Sequence, residues 1–61
     1  MKSSDLIRLL KKDGWYVYSQ KGSHKKFKHS KKPGSVIVAD HKGKEIPKGT
    51  LDAILKQAGM K

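Results

Sequence analysis

The residue in this sequence that is best suited to chemistry is His24. It follows Gly22-Ser23 and precedes Lys25-Lys26-Phe27, so it lies in the densest run of positive charge of a chain whose formal net charge is +10. Histidine is the side chain whose unperturbed pKa is nearest to neutrality, which allows it to accept or donate a proton under physiological conditions. A proton-transfer group among lysines predicts chemistry on a polyanion.

The charge of the whole chain predicts the same class of partner. Its 61 residues include 15 lysines and arginines but only 5 aspartates and glutamates, and its pI is about 10.1. A surplus of this size binds polyanions through counterion release, and nucleic acid is the commonest polyanion. The lysines are spread along the chain and no basic helix carries a broad apolar face, so we do not expect membrane binding. The sequence has no cysteine and no apolar stretch of signal-peptide or transmembrane length, which predicts a reduced, soluble, cytoplasmic protein.

The three histidines do not form a predicted metal site. His24 and His29 are five residues apart, so they are expected on opposite faces of a continuous strand, and no cysteine completes a ligand set. The five acidic residues are scattered, whereas a two-metal nuclease needs clustered carboxylates. We therefore expect no metal and no cofactor. A domain this small also leaves little room beside its core for a pocket, so no small-molecule ligand is expected.

Five elements are predicted to hold His24 in place. Apolar residues at helical spacing indicate a first helix that ends before Gly14 and a last helix that begins at Pro47. Ser3 or Ser4 is expected to cap the first helix, and Pro47 to occupy the first position of the last one. The predicted order is a helix over about Ser4–Asp13, strands Trp15–Ser19, Ser23–Lys28 and Ser35–Ala39 with turns at Lys21-Gly22 and Lys31–Gly34, a polar loop over Asp40–Glu45, and a helix from Pro47 to Gly59.

The order α-β-β-β-α predicts a single α+β domain over residues 1–61. Each amphipathic helix must bury its apolar stripe, so the simplest arrangement is a three-stranded antiparallel sheet with both helices on one face. Side chains alternate along a strand, which predicts that Phe27 points into the core. The same alternation places His24, Lys26 and Lys28 together on the opposite, open face.

The first and third strands are interpreted in the same way. Alternation places Trp15 and Val17 inward and Tyr16 and Tyr18 outward, where aromatic rings are able to stack on unpaired bases. The third strand contains a continuous apolar run, Val36-Ile37-Val38, which is typical of a central or well-covered strand. The open face is therefore predicted to be basic and partly aromatic.

Three segments of the chain resemble the HicA family of toxins from bacterial toxin–antitoxin pairs. They are Gly22-Ser23-His24-Lys25-Lys26-Phe27, the apolar third strand followed by His41, and Gly49-Thr50-Leu51 with Ile54-Leu55-Lys56-Gln57-Ala58-Gly59. The first segment alone is a modest signal, but it is a strong one together with the terminal helix at the right distance. The similarity covers nearly the whole chain. Ala39 departs from the family pattern, because similar proteins often have proline two positions before the histidine that corresponds to His41.

The resemblance implies both a fold and a function. It implies an α+β fold like that of double-stranded-RNA-binding domains, and an mRNA interferase that acts as the toxin of a type II pair. It also implies a single essential histidine on the sheet, which corresponds to His24, and an antitoxin of the HicB family that covers this histidine. The expected partners are therefore mRNA and a HicB-like protein.

Metal-free cleavage of RNA requires few groups from the protein. The 2′-hydroxyl of the substrate is the nucleophile, so the enzyme supplies a base, an acid for the departing 5′-oxygen, and cations for the charge on the phosphorane. His24 is the expected base, and the acid is water, a lysine, a tyrosine or His41. DNA lacks the nucleophile and is not a substrate. The expected RNA-binding residues are Lys21, Lys25, Lys26 and Lys28.

Two other functions are compatible with this size and charge. A non-enzymatic double-stranded-RNA-binding domain would have the same fold, but such domains usually carry a lysine cluster at the start of the second helix. Here Ile46-Pro47-Lys48-Gly49-Thr50 contains one lysine, which counts against this function. A ribosome-associated structural protein would also be small and basic, but it would have no activity that depends on His24.

Overall fold

The helices and strands follow one another in the predicted order. The structure is a computed structural model that describes residues 1–40 and 44–61, so His41 and the adjoining part of the predicted loop lie outside the described residues. The elements are α1 (Ser3–Asp13), β1 (Trp15–Lys21), β2 (His24–His29), β3 (Ser35–Ala39) and α2 (Lys48–Gln57). The predicted α+β order is confirmed.

The sheet is an antiparallel meander with β2 in the middle. β1 pairs with β2, and β2 pairs with β3. Side chains from both helices meet one side of the sheet and form a buried cluster that comprises Leu6, Ile7, Leu10, Trp15, Phe27, Val36, Val38, Ile54 and Ala58. Phe27 and Trp15 therefore point into the core as predicted, and the two helices cover one side of the sheet while the other side stays open.

Two apolar residues are more exposed than the sequence suggests. The third strand is an edge strand and not a central one, because it pairs with β2 alone in the sheet that the described residues form. Its apolar run divides between the two sides of the sheet. Val36 and Val38 are buried, whereas Ile37 is 55% exposed. Val17 lies opposite Phe27 on the helix-covered side, but it is 40% exposed. The buried cluster includes Trp15 of the same strand but does not extend over Val17.

The starts of both helices differ from the prediction. Lys2 is the N-cap of α1, and no side chain of the described residues caps it through a hydrogen bond. Ser3 lies inside the helix and is buried, and its hydroxyl donates a hydrogen bond to Asp40 Oδ1 at 3.1 Å. The serine therefore joins α1 to the end of β3 and does not cap its own helix. Pro47 precedes the first residue of α2 instead of occupying that position.

A β-bulge in β1 decides which side of the sheet Lys21 occupies. The residues before and after Tyr18 pair with Phe27 and Lys26, which are consecutive, so Tyr18 is an extra residue in β1. An extra residue reverses the alternation of every residue that follows it. As a result Lys21 lies opposite His24, whereas unbroken alternation from the start of β1 would place it on the helix-covered side.

His29 has a structural role at the far end of β2. Its Nδ1 accepts hydrogen bonds from the backbone N–H groups of Lys31 and Lys32 at 2.9 and 3.2 Å, and its Nε2 lies 2.7 Å from the carbonyl oxygen of Asp13. A nitrogen that accepts carries no proton, so Nε2 carries it and donates to that carbonyl. The ring also meets Trp15 edge to face at 5.2 Å. His29 therefore ties the end of α1 to the β2–β3 turn.

The Asp13 side chain extends this junction to α2. Its Oδ2 accepts hydrogen bonds from Lys32 Nζ at 2.6 Å and from Trp15 Nε1 at 3.2 Å. The hydrogen bond from the Lys32 ammonium is the main reason that the pKa of the Asp13 carboxyl lies below its usual range. Lys32 Nζ also donates to the carbonyl oxygen of Ala58 at 3.1 Å, at the end of α2. One ion pair thus connects the ends of both helices to the turn.

We expect Gly14→Ala to lower the free energy of unfolding by about 2 kcal/mol or more, because a side chain strains a left-handed residue by roughly 1–2 kcal/mol. Gly14 has a φ of +107°, and an added Cβ would lie 2.6 Å from His29 Nε2. Gly49→Ala is the matched control, since Gly49 lies in α2 and its added Cβ would meet nothing within 4 Å. It should stabilise the protein by about 0.5–1 kcal/mol. Urea unfolding measures the free energy of unfolding of both variants. Equal changes in the two variants would contradict both the backbone strain at Gly14 and its close contact with His29.

Candidate functional site

All three strands contribute to the uncovered side of the sheet, called the open face below. Residues directly opposite each other in paired strands share a face, so the pairing assigns the open face in rows. The rows are Lys21, His24 and Ala39, then Ser19, Lys26 and Ile37, then Tyr16, Lys28 and Ser35. The bulge residue Tyr18 also belongs to this face, because Lys28 Nζ lies 4.5 Å from the centre of its ring.

His24 lies at the end of a tight hairpin. Only Gly22 and Ser23 separate it from its cross-strand neighbour Lys21, and Gly22 has a φ of +60° while Ser23 does not have a positive φ. That pattern is typical of a type II′ turn, which requires glycine first. His24 is exposed, and within the part of the chain that the structure describes its imidazole makes no hydrogen bond. Unlike the ring nitrogens of His29, those of His24 are bonded to no described residue and are accessible to a ligand.

Three of the four lysines predicted to bind RNA share the open face with His24. Lys21 lies across the hairpin from it, and Lys26 and Lys28 follow it at alternate positions of β2. At roughly 3.3 Å per residue, the row from His24 to Lys28 is about 13 Å long. None of these three lysines forms an ion pair with a residue in the ranges 1–40 and 44–61. Their charge is therefore available to an anionic ligand.

Lys25 is separated from this group. It lies opposite the buried Val38 on the helix-covered side, and its Nζ is 2.8 Å from Asp40 Oδ2. The backbone N–H of Asp40 donates to the carbonyl oxygen of Ser23 at 2.6 Å, directly before His24. Lys25 and Asp40 thus hold the hairpin against the end of β3, and the structure does not bring Lys25 together with the other predicted RNA-binding lysines.

The sequence did not identify two residues that shape this region. Asp40 fixes the backbone next to His24, and Ile37 places an exposed apolar side chain opposite Lys26 on the open face. Alternation along the third strand was a signal for Ile37, since valines flank it on both sides. Asp40 had no comparable signal, because its partners are distant in sequence.

The described residues combine a proton acceptor with cations. In residues 1–40 and 44–61, no three His, Asp or Glu side chains lie close enough to share a metal ion. In the same ranges, neither helix has the length and apolar character needed to cross a membrane.

An exposed imidazole next to unpaired ammonium groups is able to take a proton from a bound hydroxyl while the ammonium groups offset negative charge on a phosphate.

This sequence is similar to those of known proteins over nearly its whole length. The HicA_toxin family model, described as HicA toxin of bacterial toxin-antitoxin, matches residues 3–60. A protein of Pseudomonas fluorescens (strain Pf0-1), named probable mRNA interferase HicA, is 41% identical over 61 residues. That alignment covers 100% of this chain and 98% of the relative. The resemblance inferred from the sequence is confirmed, and the chain belongs to the HicA toxin family of bacterial toxin–antitoxin systems.

Proposed function

We propose that this chain is an endoribonuclease toxin that cleaves mRNA without a metal, that His24 is its catalytic residue, and that a HicB-like antitoxin inhibits it. Its family is one of bacterial toxins, and its relative carries the name of an mRNA interferase. The observation that carries the proposal is the setting of His24, an exposed imidazole at the end of a row of lysines that form no ion pair with a described residue. Cleavage by the substrate's own 2′-hydroxyl requires this pairing of a base with cations.

In the proposed reaction, the His24 imidazole removes the proton of the 2′-hydroxyl. The 2′-oxygen then attacks the adjacent phosphorus, the bond to the 5′-oxygen breaks, and that oxygen leaves with a proton from a second donor. A 2′,3′-cyclic phosphate remains on one fragment. Lys21, across the hairpin from His24, and Lys26, two residues along β2, stabilise the negative charge of the phosphorane. Lys28 lies farther along the same row and binds a neighbouring phosphate.

A chelator tests this mechanism. We expect the purified protein to cut RNA at the same rate with and without excess EDTA, because no step of the reaction uses a metal. The fragments should end in a cyclic phosphate or a 3′-phosphate, which mass spectrometry distinguishes from a 3′-hydroxyl. His24→Ala protein purified in parallel controls for contaminating nucleases. Activity that disappears with EDTA and returns with magnesium would contradict the mechanism, and binding of RNA without cleavage would favour a non-enzymatic RNA-binding protein.

The antitoxin is proposed to cover the open face. Complementary charge speeds association, so an acidic partner can use the same +10 charge that attracts RNA. A protein seated over the β1–β2 hairpin would exclude the substrate by occupying His24 and the lysines beside it.

Hydrogen exchange on the complex tests this proposal. We expect a HicB-like protein encoded by the neighbouring gene to protect backbone amides of residues 22–28, and to stop RNA cleavage at the same molar ratio. The β2–β3 turn, residues 30–34, lies at the opposite end of β2 and is the internal control. A tight complex that leaves residues 22–28 unprotected would show that inhibition acts through another surface.

A further inference from the structure

We infer that the substrate is unpaired RNA whose backbone follows β2, and that Tyr16 and Tyr18 of β1 stack on its bases. This inference rests on the proposed function. It adds the form of the RNA and the direction from which the bases approach the sheet, and it gives the two tyrosines a positioning role that is separate from the chemistry at His24.

The two tyrosine rings lie on the open face, and each is at least half exposed. Tyr16 is 50% exposed and Tyr18 is 59% exposed. Tyr16 lies opposite Lys28, and the Nζ of the same lysine lies 4.5 Å from the centre of the Tyr18 ring. The ammonium group is attracted by the face of the ring. Exposed rings next to cations are the combination that single-stranded nucleic acids bind, with bases on the rings and phosphates on the cations.

The spacing along β2 fits an extended strand of RNA. His24, Lys26 and Lys28 occupy alternate positions, so their side chains leave the sheet about 7 Å apart. This spacing is close to the distance between successive phosphates in an extended single strand. A phosphate chain over β2 places the bases over one of the two edge strands. β1 offers two aromatic rings there, whereas β3 offers Ile37 as its one large apolar side chain.

The position of the tyrosines separates binding from chemistry. Lys28, the partner of Tyr16, lies four residues beyond His24, which corresponds to about 13 Å along β2. Tyr18 lies between the partners of Lys26 and Phe27, two to three residues beyond His24. The stacked bases are therefore about one and two nucleotides away from the phosphate that His24 acts on, and neither ring touches the reacting atoms. A duplex keeps its bases paired and stacked inside the helix, so it offers these rings nothing to stack on.

Kinetics of tyrosine variants test the inference. We expect Tyr16→Ala and Tyr18→Ala each to raise KM for unpaired RNA about tenfold, the order that the loss of one stacked base produces, with kcat within about twofold of the unaltered protein. Tyr16→Phe and Tyr18→Phe should keep the original KM, because they keep the ring. Val17→Ala is the matched control, since Val17 lies between the two tyrosines but on the other side of the sheet.

A binding assay that does not depend on cleavage completes the test. We expect the His24→Ala protein to bind a labelled unpaired oligonucleotide more tightly than the same oligonucleotide annealed to its complement, and the tyrosine-to-alanine changes to remove this preference. Unchanged KM and unchanged binding in the alanine variants would overturn the inference. Loss of antitoxin binding alone would also overturn it and assign the rings to a protein partner. If the unaltered protein cut no RNA, the proposed function would fail, but tyrosine-dependent binding of unpaired RNA would still support stacking.

Discussion

Replacement of His24 by alanine is expected to slow RNA cleavage by about a hundredfold or more, because a general base contributes at least that much to the rate. Growth arrest on expression should disappear with the activity. The side chain is exposed and makes no hydrogen bond with the described residues, so its removal should not unfold the protein. Single-turnover cleavage of a defined RNA measures the effect, and circular dichroism with thermal unfolding confirms the fold. A folded His24→Ala protein that cuts at the original rate would exclude His24 as the base.

His29→Ala is the informative comparison for this variant. His29 makes three hydrogen bonds to the backbone, at Asp13, Lys31 and Lys32. Its removal leaves those groups without their partner, and each lost bond typically costs roughly 1 kcal/mol. The His29 variant should therefore be less stable, but the folded fraction at low temperature should still cut RNA. The two histidines thus separate a change in activity from a change in stability.

Neutralising Lys26 and Lys28 together is expected to weaken RNA binding and to make it less sensitive to salt. Each contact between a lysine and a phosphate of single-stranded nucleic acid contributes about 0.7 to the slope of log affinity against log salt. Loss of two contacts therefore makes this slope shallower by about 1.4. The ratio of the affinities of the unneutralised and neutralised proteins should then fall by about 25-fold when the salt concentration is raised tenfold. Titration of the His24→Ala protein, with and without Lys26→Ala and Lys28→Ala, over a series of salt concentrations measures this slope.

One further double variant and one single variant show whether the position of the lysines matters or only the net charge. Lys11 and Lys12 are exposed in the last turn of α1, so Lys11→Ala with Lys12→Ala removes the same charge away from the open face. This control should keep most of the slope. Lys25→Ala should keep it as well, but should lower stability, because Lys25 is paired with Asp40. Equal slopes in all of these variants would place the RNA on another surface.

Much of the fold was predictable because it depends on local patterns. The apolar stripes at helical spacing, the turn residues and the alternation around Phe27 are properties of neighbouring residues, and they indicated the element order and the inward direction of Phe27 and Trp15. Alternation along one unbroken strand also placed His24, Lys26 and Lys28 on the same face. The predicted cap at Ser3 was wrong because the partner of Ser3 is not a local one. Its hydroxyl binds Asp40, a residue far along the chain.

The sequence by itself determined the family, the charge and the position of His24 next to lysines, because each of these depends on residue types and short spacings. Only the tertiary structure decided that Lys21 joins His24 and that Lys25 is paired with Asp40. The bulge at Tyr18 reverses the alternation and moves Lys21 to the open face, and the ion pair with Asp40 holds Lys25 on the other side. A bulge is defined by the register between two strands, and an ion pair by groups that only folding brings together. Neither is written in the local pattern of a single strand.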